Sequence, residues 1–254
     1  MFQLAASFDA QQAIDAYLGS VSGAIRDRSD AYDEGQALWG IVSFFVGLAV
    51  TLLLYQTGFI KGLRDGVEKR MPRWAAVFPF FLVYTVVSTV LTLPLAVWTD
   101  HFREVQYGNS TQGFGAWFGE YLINFGLSTL IGGILIVLLY AIIRALKRTW
   151  WIWGTGLVTA TIALLMLIGP VFIAPIFNDY TPMEEGPLKE DILNLARAAS
   201  VPADDVYVYD RSRQSSTISA NVSGILGTTR ISLGDTLIRD ATPAEVKAVM
   251  AHEI

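Results

Sequence analysis

The chain has 254 residues, of which 53% are hydrophobic and 16% are charged, and its formal net charge is −5. Soluble domains carry about 25% charged residues, so this composition argues against a soluble protein and indicates a membrane protein. An acidic chain without a basic stripe predicts no nucleic-acid partner, and the absence of cysteine excludes disulfides and thiolate metal sites.

The first 20 residues do not have the pattern of a signal peptide, because they contain Asp9 and Asp15, begin without a basic stretch and lack a clean apolar core. We predict that residues 1–34 form an N-terminal polar or interfacial helix, centred on residues 5–25. A solvated tail is the alternative interpretation.

Four long stretches of the chain that follow contain no charged side chain. A helix needs about 20 mostly apolar residues to cross a bilayer, and lipid offers backbone groups no partners, so such stretches become helices. We predict a membrane domain at residues 35–178 with four transmembrane helices, at about 37–59, 75–98, 120–143 and 151–174. Buried helices of a large soluble protein are the alternative.

Two further features of these stretches carry predictions. Pro170 and Pro175 lie late in the fourth stretch, and because proline removes a backbone donor we expect the helix to kink or end there. None of the four stretches contains Asp, Glu, Lys, Arg or His. Ion-coupled transporters carry ionisable residues at membrane depth, so the sequence disfavours a transporter or channel.

The composition changes after Asn178 and becomes charged and rich in turn residues. Apolar residues at helical spacing predict an amphipathic helix over 188–196, which Pro202 closes. The β-branched and aromatic run Val206–Tyr209 predicts a strand. Two more strands are expected at 218–225 and 230–238, joined by a glycine-containing turn. These elements predict a small α+β soluble domain behind the membrane helices.

The last 15 residues predict a well-started helix. Thr242 is a good N-cap, Pro243 suits the first helical position, and Glu245 completes a capping box. An apolar face then follows at Val246, Val249 and Met250. The pair His252–Glu253 therefore falls in the third turn of the helix.

The His-Glu pair matches part of a zinc-protease motif. In such a helix two histidines at i and i+4 bind one Zn²⁺, and the Glu after the first His is the general base. Here His252 holds the first position and Glu253 the second, and the other histidine would fall two residues beyond Ile254. The two residues alone also fit a solvated polar pair.

Four stretches, in order along the chain, carry a family pattern: residues 93–122, 173–196, 219–238 and 242–254. The second has the form P-x-F-N-x-x-x-P-x-x-x-G-x-L, the third ends in R-I-x-L-x-D-T-L, and the fourth leads into the His-Glu pair. Together they resemble the M48 family of membrane zinc metallopeptidases, in particular its Ste24-like CAAX prenyl protease branch. The implied fold is an α-helical multi-pass membrane protein with a small α+β zincin-like soluble domain, of which residues 179–254 are the N-terminal part, ending in the zinc-binding helix.

The resemblance implies a membrane-embedded endopeptidase that uses one Zn²⁺ per full-length chain to activate water. It makes His252 the first zinc ligand, Glu253 the general base and Asn221 a candidate substrate contact on an edge strand, where an extended substrate could add as a further strand. A turn residue is the alternative for Asn221. His101, the other histidine, is given no metal role.

The family also implies a second His, a distant Glu ligand and two further membrane helices, which the 254 residues do not contain. Because zinc sites take three or more protein ligands, we expect these 254 residues alone to be an inactive fragment. The expected partners are the lipid bilayer and a peptide or protein substrate. A non-catalytic membrane binding or quality-control protein of the same fold is the alternative function.

We expect an integral multi-pass protein of a bacterial inner membrane, but two arguments about its orientation conflict. The loops after the first and third spans carry eight Lys and Arg residues, against three in the tail and the second loop. The positive-inside rule then places the soluble domain outside the cytoplasm. The family resemblance implies the reverse, with a site that opens to the cytosol.

Overall fold

The computed structural model describes residues 9–20 and 23–254. The described residues up to Ala49 form one compact unit, which contains helix α1 (Ala10–Ser20) and the first part of helix α2 (Gly23–Gln56). The predicted limit at residue 34 falls inside α2, so its polar beginning and apolar remainder are one continuous helix. The rest of the predicted polar segment, residues 1–8 and 21–22, lies outside the described residues.

Four helical spans in the described part of the chain are long and apolar enough to cross a membrane, and they match the four predicted stretches. The helices of the membrane part after α2 are α3 (Phe59–Glu68), α4 (Arg73–Val97), α5 (Arg103–Tyr107), α6 (Phe114–Ala145), α7 (Trp150–Ile168) and α8 (Ala174–Phe177). One π-helical turn joins α4 to α5 and another joins α7 to α8. Each of these pairs is therefore one continuous span.

The second π-helical turn, Gly169–Ile173, coincides with the predicted kink. Pro170 occupies its second position and is buried. A proline there cannot donate to the preceding turn, and a wider π-type turn accommodates the lost hydrogen bond. The expectation of an irregular fourth span is thus confirmed.

The spans α4, α6 and α7 pack side by side in alternating directions. A β-carbon on Gly133 of α6 would lie 2.5 Å from a ring carbon of Phe78 of α4, so any larger residue would force the Phe78 ring or the helix to move. A β-carbon on Gly154 of α7 would lie 3.1 Å from Leu139 of α6. The start of α4, the end of α6 and the start of α7 consequently meet at the same end of the helix group.

A four-stranded sheet forms the centre of the soluble domain, with strand order β1-β2-β4-β3. Its strands are β1 (Tyr180–Pro182), β2 (Val206–Tyr209), β3 (Ala220–Ser223) and β4 (Arg230–Gly234). The pair β2–β4 is parallel, and the pairs β1–β2 and β3–β4 are antiparallel. The strand predicted at β2 and the predicted hairpin of β3 with β4 are confirmed.

The last predicted strand, 230–238, is wrong in its second half. The chain leaves the sheet at Gly234, and helix α10 (Asp235–Asp240) follows. The carboxylate of Asp235 accepts the backbone N–H of Thr236 (2.8 Å), and the Thr236 hydroxyl donates to the Thr217 carbonyl (3.0 Å). These polar contacts hold the first turn of a helix at a point where apolar periodicity alone favours a strand.

Two more helices, α9 (Pro187–Ala198) and α11 (Pro243–Glu253), complete the domain and cover one face of the sheet. They share with it a core of fully buried side chains, made of Ile192, Ala196, Val206, Ile231, Leu233, Leu237, Val246 and Met250. The predicted fold class, a multi-pass helical membrane protein with a small α+β domain, is confirmed.

Two polar loops join the membrane helices to the soluble domain, and we call residues 108–112 and 211–217 together the polar clasp. Its hydrogen bonds include Thr111 N–H to the Gln214 carbonyl (3.2 Å), Ser216 N–H to the Asn109 carbonyl (3.0 Å), the Ser215 hydroxyl to the Asn109 carbonyl (2.7 Å) and the Thr111 hydroxyl to the Ser212 carbonyl (2.8 Å). The loop after α5 and the soluble domain after α8 therefore lie on the same side of the membrane.

Candidate active site

Helix α11 starts at the predicted capping box. The Glu245 N–H donates to the Thr242 hydroxyl (3.4 Å), and the Thr242 N–H donates to the Glu245 carboxylate (2.8 Å). The backbone N–H and hydroxyl of Thr242 stabilise the ionised carboxylate and hold the pKa of Glu245 below its ordinary value. The capping box therefore stabilises the first turn of α11 independently of its C-terminal end, which carries His252 and Glu253.

The body of α11 is held against the domain by packing and by one ion pair. Val246 and Met250 are fully buried in the core. On another face of the helix, the Lys247 ammonium lies 3.1 Å from the carboxylate of Asp191 on α9. The helix also packs against β3. These contacts fix the direction in which the last turn of α11 presents its side chains.

His252 and Glu253 are both exposed in the last turn of α11. Glu253 follows Val246 by seven residues, which is almost two full turns, so it continues the face that packs on the sheet. His252 lies about 100° around the helix from Glu253. Both side chains are exposed, so the end of α11 forms a solvent-accessible surface that carries His252 and Glu253.

Strand β3 is one of the two edge strands of the sheet and carries Asn221. Ala220 and Val222 pack against the core that includes α11. Side chains alternate between the faces of a strand, so the Asn221 side chain lies on the opposite face. The structure brings β3 to α11 but does not bring the Asn221 side chain to the His252–Glu253 surface.

The hydrogen bonds of β3 show which of its backbone groups remain open. The Gly234 N–H donates to the Ser219 carbonyl (2.8 Å), which makes these two residues a bonded pair of the antiparallel ladder. Bonded and non-bonded pairs alternate, and Asn221 stands opposite Ser232 as the next bonded pair. The N–H and C=O groups of Ala220 and Val222 therefore point to the open edge.

The described residues supply part of a metal site. Among residues 9–20 and 23–254, no group of three His, Cys, Asp or Glu is placed to hold a metal ion. His101 is buried among the rings of Phe102, Phe114 and Trp117 at the far end of α4. The residues present thus fit one histidine ligand, His252, and not a complete zinc site.

A cavity that the sequence patterns did not reveal lies between the membrane helices and the clasp. Its volume is about 430 Å³, and it is lined by Asp100, Trp117, Glu120, Tyr121, Asn124, Phe177 and Gln214. The Gln214 amide donates to the Glu120 carboxylate (3.1 Å), and the Arg213 guanidinium lies 3.5 Å from it. The sequence feature that could have indicated this cavity is the position of Asp100 and Glu120. They are the charged residues next to the second and third apolar stretches.

Comparisons with known proteins give a consistent result along the chain. The family model described as CAAX prenyl protease N-terminal, five membrane helices, matches residues 13–179, and the model of peptidase family M48 matches residues 182–254. The part of the chain that the structure describes contains four candidate spans, against five in the description of the first model.

Two curated relatives and one crystal structure show the same likeness. The chain is 30% identical to an uncharacterized metalloprotease of Bacillus subtilis, YhfN, over 83% of this chain and 50% of that protein. It is 33% identical to CAAX prenyl protease 1 of Saccharomyces cerevisiae, over 69% and 39% of the two chains. The crystal structure of S. mikatae Ste24p superposes with a TM-score of 0.79 at 28% identity, covering 92% of this chain and 56% of that one.

These relatives are longer than the chain, which spans about half or less of the length of each. Two family models together cover nearly all of its residues, and the solved relative shares its fold. Membership of this family implies a divalent metal, generally zinc. The chain is an integral multi-pass membrane protein and belongs to peptidase family M48, in its Ste24-like branch.

Proposed function

We propose that the complete gene product is a membrane-embedded, zinc-dependent endopeptidase and that this chain contributes its membrane helices and the first half of its catalytic site. The observation that carries the proposal is the pair His252–Glu253 in the third turn of the capped helix α11, next to an open sheet edge. Family membership supports the same activity.

In this proposal the two residues have separate roles. His252 is a metal ligand through its imidazole, and Glu253 accepts the proton of the attacking water. A bound Zn²⁺ supplies polarisation of that water and of the peptide carbonyl. The exposure of both side chains on one surface, with nothing in the described residues covering them, supports access to an extended substrate.

The substrate would add to the sheet as a further strand along β3. The open N–H and C=O groups of Ala220 and Val222 offer up to four backbone hydrogen bonds to such a strand. Asn221 remains a candidate substrate contact, but from the face of the sheet opposite α11. Binding through backbone groups predicts tolerance of many substrate sequences, with selectivity supplied by other surfaces.

The substrate class is a peptide or protein, and the names of the relatives are compatible with prenylated peptides. No feature of these 254 residues encodes recognition of a prenyl group, so we propose peptides and small or misfolded membrane proteins as substrates. A polypeptide limited to residues 1–254 offers a single motif ligand, and we propose that it neither holds stoichiometric zinc nor cleaves peptides.

The test uses the complete gene product and three variants. Glu253→Gln should lose at least 100-fold in peptide cleavage while zinc stays bound, because the carboxylate acts on water and is not a ligand. His252→Ala should lose zinc, measured by metal analysis after dialysis. The control Glu190→Gln, on the exposed side of α9, should change neither.

Three outcomes would count against the proposal. Cleavage by Glu253→Gln at the rate of the unmodified protein would exclude the general-base role. Stoichiometric zinc in His252→Ala would exclude the ligand role. A complete, zinc-loaded protein that cleaves no peptide would instead favour a non-catalytic binding or quality-control function.

A further inference from the structure

Basic side chains are concentrated at one end of the membrane helices. This is the end where α4 starts, α6 ends and α7 starts, and it also carries α3. Residues 57–73 and 144–149 contain eight Lys and Arg residues against two carboxylates. Six of these cations form what we call the basic rim: Lys61, Lys69, Arg70, Arg144, Lys147 and Arg148.

The two carboxylates of this end are already paired with basic residues outside the rim. Asp65 lies 2.8 Å from the Arg64 guanidinium, and Glu68 lies 3.7 Å from that of Arg73. The six cations of the rim are exposed, and none of them forms an ion pair within the part of the chain that the structure describes. The rim therefore has an uncompensated positive charge.

Helix α3 has the form of a helix that lies at a membrane surface. Its residues Phe59, Leu63 and Val67 share one half-buried face, and Lys61 and Arg64 are exposed on the other. Gly58, with φ of +74°, breaks the chain between the long helix α2 and α3. A short amphipathic helix with a basic face beside a membrane span fits the interface between headgroups and acyl chains.

Exposed tryptophans mark the depth of the rim. Trp74 is 69% exposed at the start of α4, and Trp151 and Trp153 are 60% and 59% exposed at the start of α7. Tryptophan concentrates at the boundary between lipid and water. The neighbouring cations of the rim are thus placed at the level of lipid headgroups.

We propose that the basic rim binds the phosphate headgroups of anionic phospholipids in the surrounding bilayer, with α3 lying in the plane of the interface. Charge complementarity favours an anionic lipid headgroup as the ligand, because the rim is cationic, exposed to solvent and bordered by residues that face lipid. Each Lys or Arg near an anionic lipid surface strengthens binding by roughly fivefold, and salt screens the attraction.

The test measures energy transfer from tryptophan to dansyl-labelled phosphatidylglycerol or phosphatidylcholine, with the complete gene product in a neutral detergent. The unmodified protein should prefer phosphatidylglycerol, and 0.5 M NaCl should reduce this preference. Two double variants, Lys69→Gln with Arg70→Gln and Lys147→Gln with Arg148→Gln, should each weaken binding of the anionic lipid by about 25-fold, which is roughly fivefold for each cation removed. Binding of phosphatidylcholine should not change.

A matched control removes two exposed cations from the soluble domain, Arg197→Gln with Arg239→Gln, and should bind phosphatidylglycerol as the unmodified protein does. Equal melting temperatures in detergent check that the variants fold, and the two rim pairs test the proposal independently. It is overturned if both rim variants keep the original affinity, or if the control loses as much. Soluble glycerol phosphate that displaces phosphatidylglycerol at the same concentration as the lipid would also overturn the proposal, because it would show that the rim is a site for free anions.

Discussion

The carboxylate of Asp235 accepts hydrogen bonds from both the backbone N–H (2.7 Å) and the hydroxyl group of Ser212. Burial alone would raise the pKa of Asp235, but these bonds and one from the Thr236 N–H outweigh it and hold the pKa below its ordinary value. Ser212 belongs to the polar clasp and Asp235 begins α10, which leads into α11. One carboxylate thus connects the membrane contact to the helix that carries His252.

Replacing Asp235 by Asn should lower the free energy of unfolding by about 1 kcal/mol, because the bonds from Ser212 lose their ionised acceptor. The measurement is thermal unfolding of the purified protein in detergent. Asp240→Asn is the matched control, since Asp240 pairs with its exposed neighbour Arg239. Equal losses of unfolding free energy in the two variants would show that the contact with Ser212 stabilises the protein no more than the exposed pair does.

Acid should destabilise the soluble domain through two carboxylates. Hydrogen bonding to Lys189 lowers the pKa of Asp205, and the bonds from Ser212 lower that of Asp235. A group with a depressed folded pKa stabilises the protein fully above its unfolded value of about 3.9, and this stability is lost as the pH falls through the folded value. The melting temperature should therefore fall below about pH 4.

The check is a series of melting curves from pH 7 to pH 3 for the unmodified protein and for Asp235→Asn. The difference between the two should shrink as the pH falls, because protonation removes from Asp235 the charge that the variant lacks. A difference that stays constant down to pH 3 would contradict this assignment.

Two glycines of the β3–β4 hairpin make a matched pair. Both have positive φ, +95° for Gly224 and +89° for Gly227, and residues with a side chain rarely adopt such backbone angles. A β-carbon on Gly224 would also lie 2.2 Å from the Thr228 carbonyl oxygen, whereas one on Gly227 meets open space. Gly227→Ala should cost about 1 kcal/mol of stability, and Gly224→Ala at least twice as much. Comparable melting temperatures for the two variants would refute the steric argument.

The polar clasp makes a topological prediction. Because it holds the second loop and the soluble domain together, a cysteine at Asp204 and one at Thr111 should react with an impermeant reagent from the same side of the membrane. A cysteine at Lys147 should react from the other side. Residues 1–254 contain no cysteine, so each single substitution introduces the one cysteine thiol among them.

The same labelling distinguishes the two orientations. The positive-inside rule places Lys147 in the cytoplasm, and the family resemblance places Asp204 there. Labelling of all three positions from one side would contradict the alternation of the helices and, with it, the packing of α4 against α6.

The elements that the sequence predicts well are those with a strong local cause. The four spans follow from length and apolarity, and the start of α11 follows from Thr242 and Glu245, which meet within one turn. The strand at Val206–Tyr209 follows from its β-branched and aromatic residues. In each case the structure is determined by interactions among a few neighbouring residues or between those residues and the solvent.

What the sequence does not predict depends on partners far away in the chain. The residues that end β4 are held by Ser212 and Thr217, about 20 positions earlier, and the clasp joins loops about 100 positions apart. The face on which Asn221 lies depends on the register of β3 with β4, and a shift of one residue would reverse it. Ser, Thr and Asn in loops have no periodic pattern from which such contacts could be inferred.

The two π-helical turns, Trp98–Phe102 and Gly169–Ile173, lie at the same end of their spans, the end that meets the soluble domain. A turn of this kind holds one more residue than an α-helical turn and rotates everything after it by about 100°. The side of each span that contacts lipid therefore does not determine the direction in which α5 and α8 present their side chains. Such a helix can keep its rotational setting in the bilayer while a single inserted residue changes the direction of the segment that leads to the soluble domain.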